Sequence, residues 1–142
     1  MPLQIKKSAD QMVSEATAAI DTLSVAQAQA LHGRPDVTFI DLRDIREIWR
    51  EGAISGARQV PRGMLEFWLD PGSPYHKDYF ASGNRFVFFC AAGWRSALAT
   101  KTAQDMGLTP VAHIEGGFDE WKKAGAPVET VEPRIPGRPH KS

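Results

Sequence analysis

The segment FVFFCAAGWRS, residues 86–96, runs from an apolar stretch into Cys90, which is the only cysteine in the 142-residue chain. Small residues follow this cysteine, and Arg95 stands five positions after it. The apolar stretch predicts a buried strand over 86–89, and the pattern that follows predicts a helix over 95–106. Two interpretations are open: Cys90 is an inert core thiol, or it is a nucleophile delivered to the end of a strand.

Strands and helices alternate outward from this segment in both directions. Strands are predicted at 22–23, at 37–41, in a short run ending near 60, at 86–89 and at 111–114; helices are predicted at 8–20, 25–31, 44–49, 61–69, 75–80, 95–106 and 116–123. This alternation is typical of an α/β fold with a mostly parallel, five-stranded sheet flanked by helices on both faces. Ligands bind such sheets at the carboxyl ends of the strands, where we expect both Asp41 and Cys90.

The chain length fits one domain. We predict an N-terminal helical extension over 1–21, the domain itself over 22–128 and a flexible, proline-rich tail over 129–142. Residues 64–80 are rich in turn-forming residues and form a predicted insert without an assigned role.

Composition excludes several classes of function. Seventeen basic residues balance seventeen acidic residues, which gives no support for nucleic acid or an anionic membrane as a partner. A single cysteine excludes an intramolecular disulfide and a multi-cysteine zinc site, and no histidines and carboxylates show metal-ligand spacing. No apolar run approaches the ~20 residues that span a bilayer. The N-terminus has no secretory pattern, so we expect a cytoplasmic protein.

The residues after Cys90 suit a reactive thiolate. The thiolate is the nucleophilic form, and it is favoured by the partial positive charge of a helix N-terminus and by a nearby cation such as Arg95. The run Ala91–Gly93 has little side-chain bulk, so successive backbone N–H groups can turn toward the sulfur. Such a nest binds a thiolate or a persulfide. Ser96 is a helix cap, a ligand of the persulfide or both, and Trp94 is a pocket wall or a packed aromatic residue.

Four motifs in order resemble those of the rhodanese-domain sulfurtransferases. CAAGWRS resembles their active-site loop, Cys-x-x-Gly-x-Arg-Ser; DLRD at 41–44, EGAISGA at 51–57 and GGFDEW at 116–121 resemble three further family signatures. The resemblance covers roughly residues 22–128. Ala53 and Ser55 depart from the family's usual His and Pro in the second of these signatures.

The resemblance implies a double-displacement reaction. Cys90 takes a sulfur atom from a small anionic donor such as thiosulfate, becomes a persulfide and passes the sulfur to cyanide, a thiol or a protein acceptor. It implies no metal and no organic cofactor. It assigns the binding of donor and persulfide to six loop residues, namely Ala91, Ala92, Gly93, Trp94, Arg95 and Ser96.

Two rival functions remain open. The first is a non-catalytic or sulfur-carrier module that docks on a partner protein. The second is a cysteine phosphatase or arsenate reductase of similar fold. Phosphatases of this type use a His-Cys pair and an Arg six positions after the cysteine, whereas here Phe89 precedes Cys90 and Arg95 is five positions away. The smaller loop favours sulfur over phosphate.

Five other polar residues have weaker assignments. Asp41 and Arg43 are interpreted as a structural ion pair near the site, with substrate contact as the alternative. Arg62 follows a predicted strand and is a candidate to reach the pocket. His76 is interpreted as a solvated residue of the insert. His113 is interpreted as a strand residue without a chemical role.

Overall fold

The computed structural model describes residues 2–133. In chain order its elements are α1 (Ala9–Ala19), β1 (Asp21–Leu23), α2 (Val25–Leu31), β2 (Val37–Asp41), α3 (Ile45–Glu51), β3 (Arg58–Gln59), α4 (Leu65–Leu69), β4 (Arg85–Phe89), α5 (Trp94–Met106), β5 (Val111–Ile114) and α6 (Gly117–Lys123). Short 3-10 helices cover Arg62–Met64 and Asp78–Ala81.

The five strands form one sheet in the order β1-β5-β4-β2-β3, and every adjacent pair is parallel. The predicted α/β fold with a five-stranded, mostly parallel sheet is therefore confirmed. Asp41 at the end of β2 is in register with Phe89 at the end of β4. The residues that follow these two strands consequently emerge side by side at the carboxyl edge of the sheet.

Both faces of the sheet are buried. Phe86, Phe88 and Cys90 point into a cluster that also contains side chains of α4 and α5. Val87 and Phe89 point into a second cluster, which contains side chains of α2 and α6. Side chains alternate between faces along a strand, so a strand covered on both sides must be apolar throughout, as the run before Cys90 is.

Two helices begin with reciprocal capping contacts. At the start of α2, Ser24 and Gln27 exchange side-chain-to-backbone hydrogen bonds, and Asp44 and Glu47 do the same at the start of α3. Each contact satisfies N–H groups that the first turn leaves without partners. The predicted helix after Asp44 therefore exists, and it extends to Glu51.

The segment after Pro61 differs in detail from the predicted helix over 61–69. It begins as the 3-10 helix Arg62–Met64 and only then becomes α4, while the predicted helix over 75–80 is the 3-10 helix Asp78–Ala81. The predicted insert also belongs to the core, because Leu65, Leu69 and Phe80 are buried against the sheet.

Both ends of the described chain contact the domain. Helix α1 packs against α5 and buries Ala16, while the Gln104 side-chain amide donates to the Ala19 carbonyl at 3.0 Å. In the predicted tail, Glu129 pairs with Ala53 through two backbone hydrogen bonds of 2.8 and 2.9 Å. The remainder of that tail from residue 134 lies outside the described residues. Among residues 2–133, no helix has the length and apolarity to cross a membrane.

Asp41 and Arg43 form a buried ion pair beneath the carboxyl edge of the sheet. Their side chains are 2% and 1% exposed, and the guanidinium donates to the carboxylate at 2.7 and 3.0 Å. The same guanidinium donates to the Gly52 carbonyl at 2.9 Å and lies 3.9 Å from the centre of the Phe118 ring. Arg43 thereby links β2 to the end of α3 and to α6.

Replacing Arg43 by Met tests the importance of this burial. The unpaired Asp41 carboxylate would stay in the core, so we expect the unfolding free energy to fall by about 3–5 kcal/mol in denaturant titrations. The matched control is Arg34→Met, because Arg34 and Asp36 make the same two contacts at 3.1 and 2.9 Å with side chains 55% and 62% exposed. That control should lose less than about 1 kcal/mol. Equal losses of unfolding free energy in the two variants would show that the burial of the Asp41–Arg43 pair does not determine its importance.

Candidate active site

Cys90 occupies the first position after β4, and α5 begins four residues later at Trp94. The turn between them depends on Gly93, the N-cap of α5, whose φ of +105° lies in the left-handed region. Glycine adopts this conformation without the steric cost that a Cβ brings. The chain can thus reverse tightly and direct the first turn of α5 at the cysteine.

The Cys90 sulfur is held by backbone N–H groups. Its Sγ accepts from the Gly93 N–H at 3.2 Å and from the Ser96 N–H at 3.4 Å, and the Ser96 Oγ lies 3.6 Å away. The residue is 1% exposed. Two aligned amides and the N-terminus of a 13-residue helix stabilise negative charge on the sulfur. We call Cys90, Gly93 and Ser96 the sulfur cradle.

Helix α6 fixes the outer side of this loop. The Phe118 N–H donates to the Cys90 carbonyl at 2.8 Å, and the Asp119 N–H donates to the Ala91 carbonyl at 3.0 Å. Gly117 permits this approach, because a Cβ there would collide with the Cys90 carbonyl oxygen and stand 2.8 Å from the Ala91 carbonyl oxygen. Both carbonyl groups of the loop therefore accept hydrogen bonds from α6.

Arg95 is bound to a carboxylate of α3. Its two terminal nitrogens each donate to a Glu47 oxygen at 2.8 Å. The Arg95 guanidinium lowers the pKa of Glu47 from 4.5 to about 2. Glu47 in turn raises the pKa of Arg95, and the negative charge of a Cys90 thiolate acts in the same direction. Arg95 thus lies beside the cradle as half of an ion pair rather than as an isolated cation.

A histidine lies behind the cradle. The Ser96 Oγ is 2.9 Å from His113 Nδ1, and His113, in β5, is 4% exposed. Burial lowers the pKa of His113, because the charged imidazolium loses its hydration in the core. Neutral His113 is therefore in contact with a residue that touches the sulfur.

The other predicted site residues have different surroundings. Asp41 and Arg43 are engaged with each other below the surface, as described above. Arg62 donates to the Glu66 carboxylate at 2.9 Å, four residues further along, and not to a group of the cradle. Trp94 is 59% exposed at the start of α5. No group of three or more potential metal ligands occurs among residues 2–133.

Sequence reasoning missed two residues of this site. Glu47 lies within the helix predicted over 44–49 and has no predicted role at the site, and His113 is predicted to have no chemical role. One local signal existed for Glu47, since a carboxylate beside the end of β2 lies at the same sheet edge as the loop after β4. No local signal existed for His113, whose contact with Ser96 depends on α5 packing over β5.

The close approach at Gly117 predicts a specific response to an added methyl group. Gly117→Ala must both strain a φ of +60° and displace the carbonyl groups of the loop. Gly83→Ala is the matched control, because Gly83 has a φ of +81° and open space around it. The control should cost about 1–2 kcal/mol of unfolding free energy. Gly117→Ala should cost more and also change the alkylation rate of Cys90. Identical behaviour of the two variants would contradict the role given to α6.

The Glu47–Arg95 pair predicts a pH-dependent stability. Because the folded-state pKa of Glu47 lies below its ordinary value, its ionised form stabilises the fold above pH 4.5, and this contribution is lost as the pH falls toward about 2. Glu47→Gln keeps a side-chain oxygen for the capping box but removes the charge. Denaturant titrations should therefore show a difference between wild type and variant that shrinks from pH 4.5 to about 2. A difference that stays constant over this range would refute the assignment.

Several known proteins are similar to this chain. A mouse protein described as thiosulfate sulfurtransferase/rhodanese-like domain-containing protein 3 is 30% identical over 100 residues, which are 67% of this chain and 64% of that protein. A protein of unknown function from Rhodopseudomonas palustris, described as a possible tyrosine phosphatase, is 56% identical with a TM-score of 0.88, over 91% of this chain and 99% of that one. The polysulfide-sulfur transferase homodimer from Wolinella succinogenes is 29% identical with a TM-score of 0.63, over 90% of each chain.

The similarity to longer proteins covers only part of their length. The chain also matches the tRNA uridine(34) hydroxylase of Cronobacter sakazakii, of which it spans 32%. The profile of the rhodanese-like domain matches residues 24–124 and so includes all four sequence motifs, the cradle and the segment that we predicted to be an insert. This match covers most of the chain, and it includes strands β2 to β5 of the parallel sheet and the cysteine after β4. The chain therefore belongs to the rhodanese-like domain family.

Proposed function

We propose that this protein is a sulfurtransferase that carries a sulfane sulfur as a persulfide on Cys90. The observation that supports this most is the pair of backbone N–H groups, from Gly93 and Ser96, that point at the Cys90 sulfur from 3.2 and 3.4 Å. Donors aimed at a sulfur atom stabilise it as a thiolate before the reaction and as a persulfide anion after it.

The first half-reaction loads the cysteine. The Cys90 thiolate attacks the outer sulfur of a donor such as thiosulfate and forms a new S–S bond. The sulfur–sulfur bond of the donor breaks, and its electron pair leaves with sulfite. The transferred sulfur then lies about 2 Å beyond Sγ and carries the negative charge. The N–H groups of Trp94 and Arg95, in the first turn of α5, have no intrahelical acceptors and are available to it.

The second half-reaction unloads the cysteine. The carbon of cyanide, or the sulfur of an acceptor thiolate, attacks the outer persulfide sulfur. The S–S bond to Cys90 breaks, and its electron pair returns to Sγ as the thiolate that the cradle stabilises. Thiocyanate or an acceptor persulfide leaves. Atoms and electrons balance in both steps without a metal or organic cofactor.

The proposed reaction needs a sulfur donor and a sulfur acceptor. A small sulfur-containing anion serves as donor, and a thiol, cyanide or a protein thiol serves as acceptor. The exposed Trp94, which follows Gly93 of the cradle in the chain, is a contact residue for a protein acceptor in this scheme. We place the reaction in the cytoplasm, because a reducing compartment suits a free catalytic thiol. A carrier module that only hands sulfur to a docked partner uses the same first half-reaction.

A second candidate is a cysteine phosphatase. The observation that favours it is the description of the 56% identical R. palustris protein as a possible tyrosine phosphatase. Two features of the site argue against it. The Arg95 guanidinium is already occupied by both Glu47 oxygens. The loop is also one residue shorter than the phosphatase pattern, because Arg95 follows Cys90 by five positions and not by six.

Mass spectrometry of the intact protein tests the proposal. After incubation with thiosulfate and removal of excess donor, we expect a gain of one sulfur atom that is lost again on adding cyanide. Cys90→Ser should show no gain. A wild-type protein that gains no sulfur, or a variant that gains as much, would contradict the persulfide mechanism.

The same samples separate the rival functions. Stable loading without transfer to cyanide or small thiols would support the carrier module. Release of phosphate from an aryl phosphate, abolished by Cys90→Ser and without sulfur loading, would establish the phosphatase instead. Cys90→Ser should keep the unfolding free energy close to that of the wild type, because the hydroxyl can accept from the same amides.

A further inference from the structure

His113 is a buried polar side chain that the proposed reaction does not use. It lies in β5 between Thr22 of β1 and Phe88 of β4, and it is 4% exposed. Its Nδ1 is 2.9 Å from Ser96 Oγ. Its Nε2 is buried and has no hydrogen-bond partner among the described residues. A buried polar atom without a partner costs free energy of folding. A role for the one hydrogen bond that His113 makes among the described residues would explain why this residue is kept in the core.

Ser96 Oγ lies close to three polar atoms. Besides His113 Nδ1, it lies 3.2 Å from the Gly93 carbonyl oxygen and 3.6 Å from Cys90 Sγ. A serine hydroxyl has one proton to donate and two lone pairs with which to accept. The protonated nitrogen of His113 therefore decides where the proton of Ser96 goes.

The two neutral tautomers of His113 have opposite consequences for the sulfur. If Nε2 carries the proton, Nδ1 accepts from the Ser96 hydroxyl, and only oxygen lone pairs face Cys90. If Nδ1 carries the proton, it donates to Ser96 Oγ, and the hydroxyl proton is available to the Gly93 carbonyl or to an anionic sulfur. An anion is the stronger acceptor of the two.

The surroundings of His113 favour the second tautomer. A proton on Nε2 would be a buried N–H donor without an acceptor, and such donors are rarer in folded proteins than buried acceptors left unpaired. Burial alone lowers the pKa of His113, which keeps the ring neutral. The charged side chains on the elements packed against β5, and on the residue after it, do not contribute to this lowering; they are Asp21, Arg85, Arg95, Lys101, Asp105, Glu115, Asp119, Glu120, Lys122 and Lys123.

We propose that His113 is a positioning residue, whose Nδ1–H donates to Ser96 Oγ and so directs the Ser96 hydroxyl proton to the anionic sulfur of Cys90. In the thiol form, Ser96 accepts from both His113 and the Cys90 S–H and donates to the Gly93 carbonyl. On deprotonation of the thiol, the hydroxyl turns from that carbonyl to Sγ and becomes its third donor. The extension of this role to the persulfide rests on the proposed function.

Nitrogen NMR tests the tautomer directly. With ¹⁵N-labelled histidine, the imidazole shifts distinguish Nδ1–H from Nε2–H, and His113→Asn identifies the signals among the four histidines of the chain. We expect the Nδ1–H form of a neutral ring at neutral pH. An Nε2–H ring or an imidazolium would overturn the proposal. The first cannot donate from Nδ1 to Ser96 Oγ, and the second is not the neutral ring that the proposal describes.

The pH profile of Cys90 alkylation tests whether His113 stabilises the Cys90 thiolate through Ser96. The midpoint of this profile reports thiolate formation and does not require sulfur transfer. His113→Leu should move the midpoint upward by less than about one pH unit, because His113 donates to Ser96 in both forms and the variant loses only the polarisation by which that bond strengthens the contact between the Ser96 hydroxyl and the thiolate. His113→Asn, whose amide can donate to Ser96, should restore much of the difference. In a Ser96→Ala background, His113→Leu should have no further effect, because His113 acts only through Ser96.

Thr100→Val is the matched control for this series. Thr100 lies one turn beyond Ser96 on α5, and its buried Oγ1 also has no hydrogen-bond partner, the Cys90 sulfur included, within residues 2–133. We expect an unchanged midpoint. An equal shift in Thr100→Val, no shift in His113→Leu, or the same His113 effect without the Ser96 hydroxyl would each overturn the role of His113. If the alkylation results hold while thiosulfate loads no sulfur, the proposed function fails and the positioning role stands.

Discussion

The site depends on two backbone hydrogen bonds between the loop after β4 and the first turn of α6. The Cys90 and Ala91 carbonyl groups accept from Phe118 and Asp119, at 2.8 and 3.0 Å. Because α6 occupies these carbonyl oxygens, they cannot turn toward the sulfur, and the N–H groups that come next in the loop can. The glycine at position 117 is required for this approach, which explains why a glycine pair and a cysteine loop far apart in sequence act together.

Charge near the cradle is balanced in pairs. Arg43 is neutralised by Asp41 in the core, and Arg95 is neutralised by Glu47 at the surface. In the proposed reaction, a negative charge on the sulfur would therefore be stabilised mainly by fixed amide dipoles, which need no reorganisation when the charge moves from thiolate to persulfide and back. The ion pairs stabilise the elements that carry those dipoles: one joins β2, α3 and α6, and the other joins α3 to α5.

Local patterns in the sequence were sufficient for the fold and for the position of Cys90 at the end of a buried strand. The apolar run before Cys90, the small residues after it and the helices predicted over 25–31 and 44–49 each have a short-range physical cause. The pairing of Glu47 with Arg95 and that of Ser96 with His113 join residues 48 and 17 positions apart. These contacts follow from the strand order and the packing of α5, which no local pattern specifies. The same limit applies to Arg62, whose expected reach to the pocket ignored its nearer partner Glu66.

A structure of the thiosulfate-treated protein tests the central claim most directly, namely that backbone amides hold an anionic sulfur on Cys90. We predict additional density about 2 Å from Sγ, within hydrogen-bonding distance of N–H groups in the first turn of α5, with the Glu47–Arg95 pair intact. An unmodified Cys90, or a bound sulfur that pairs with an Arg95 released from Glu47, would contradict the account.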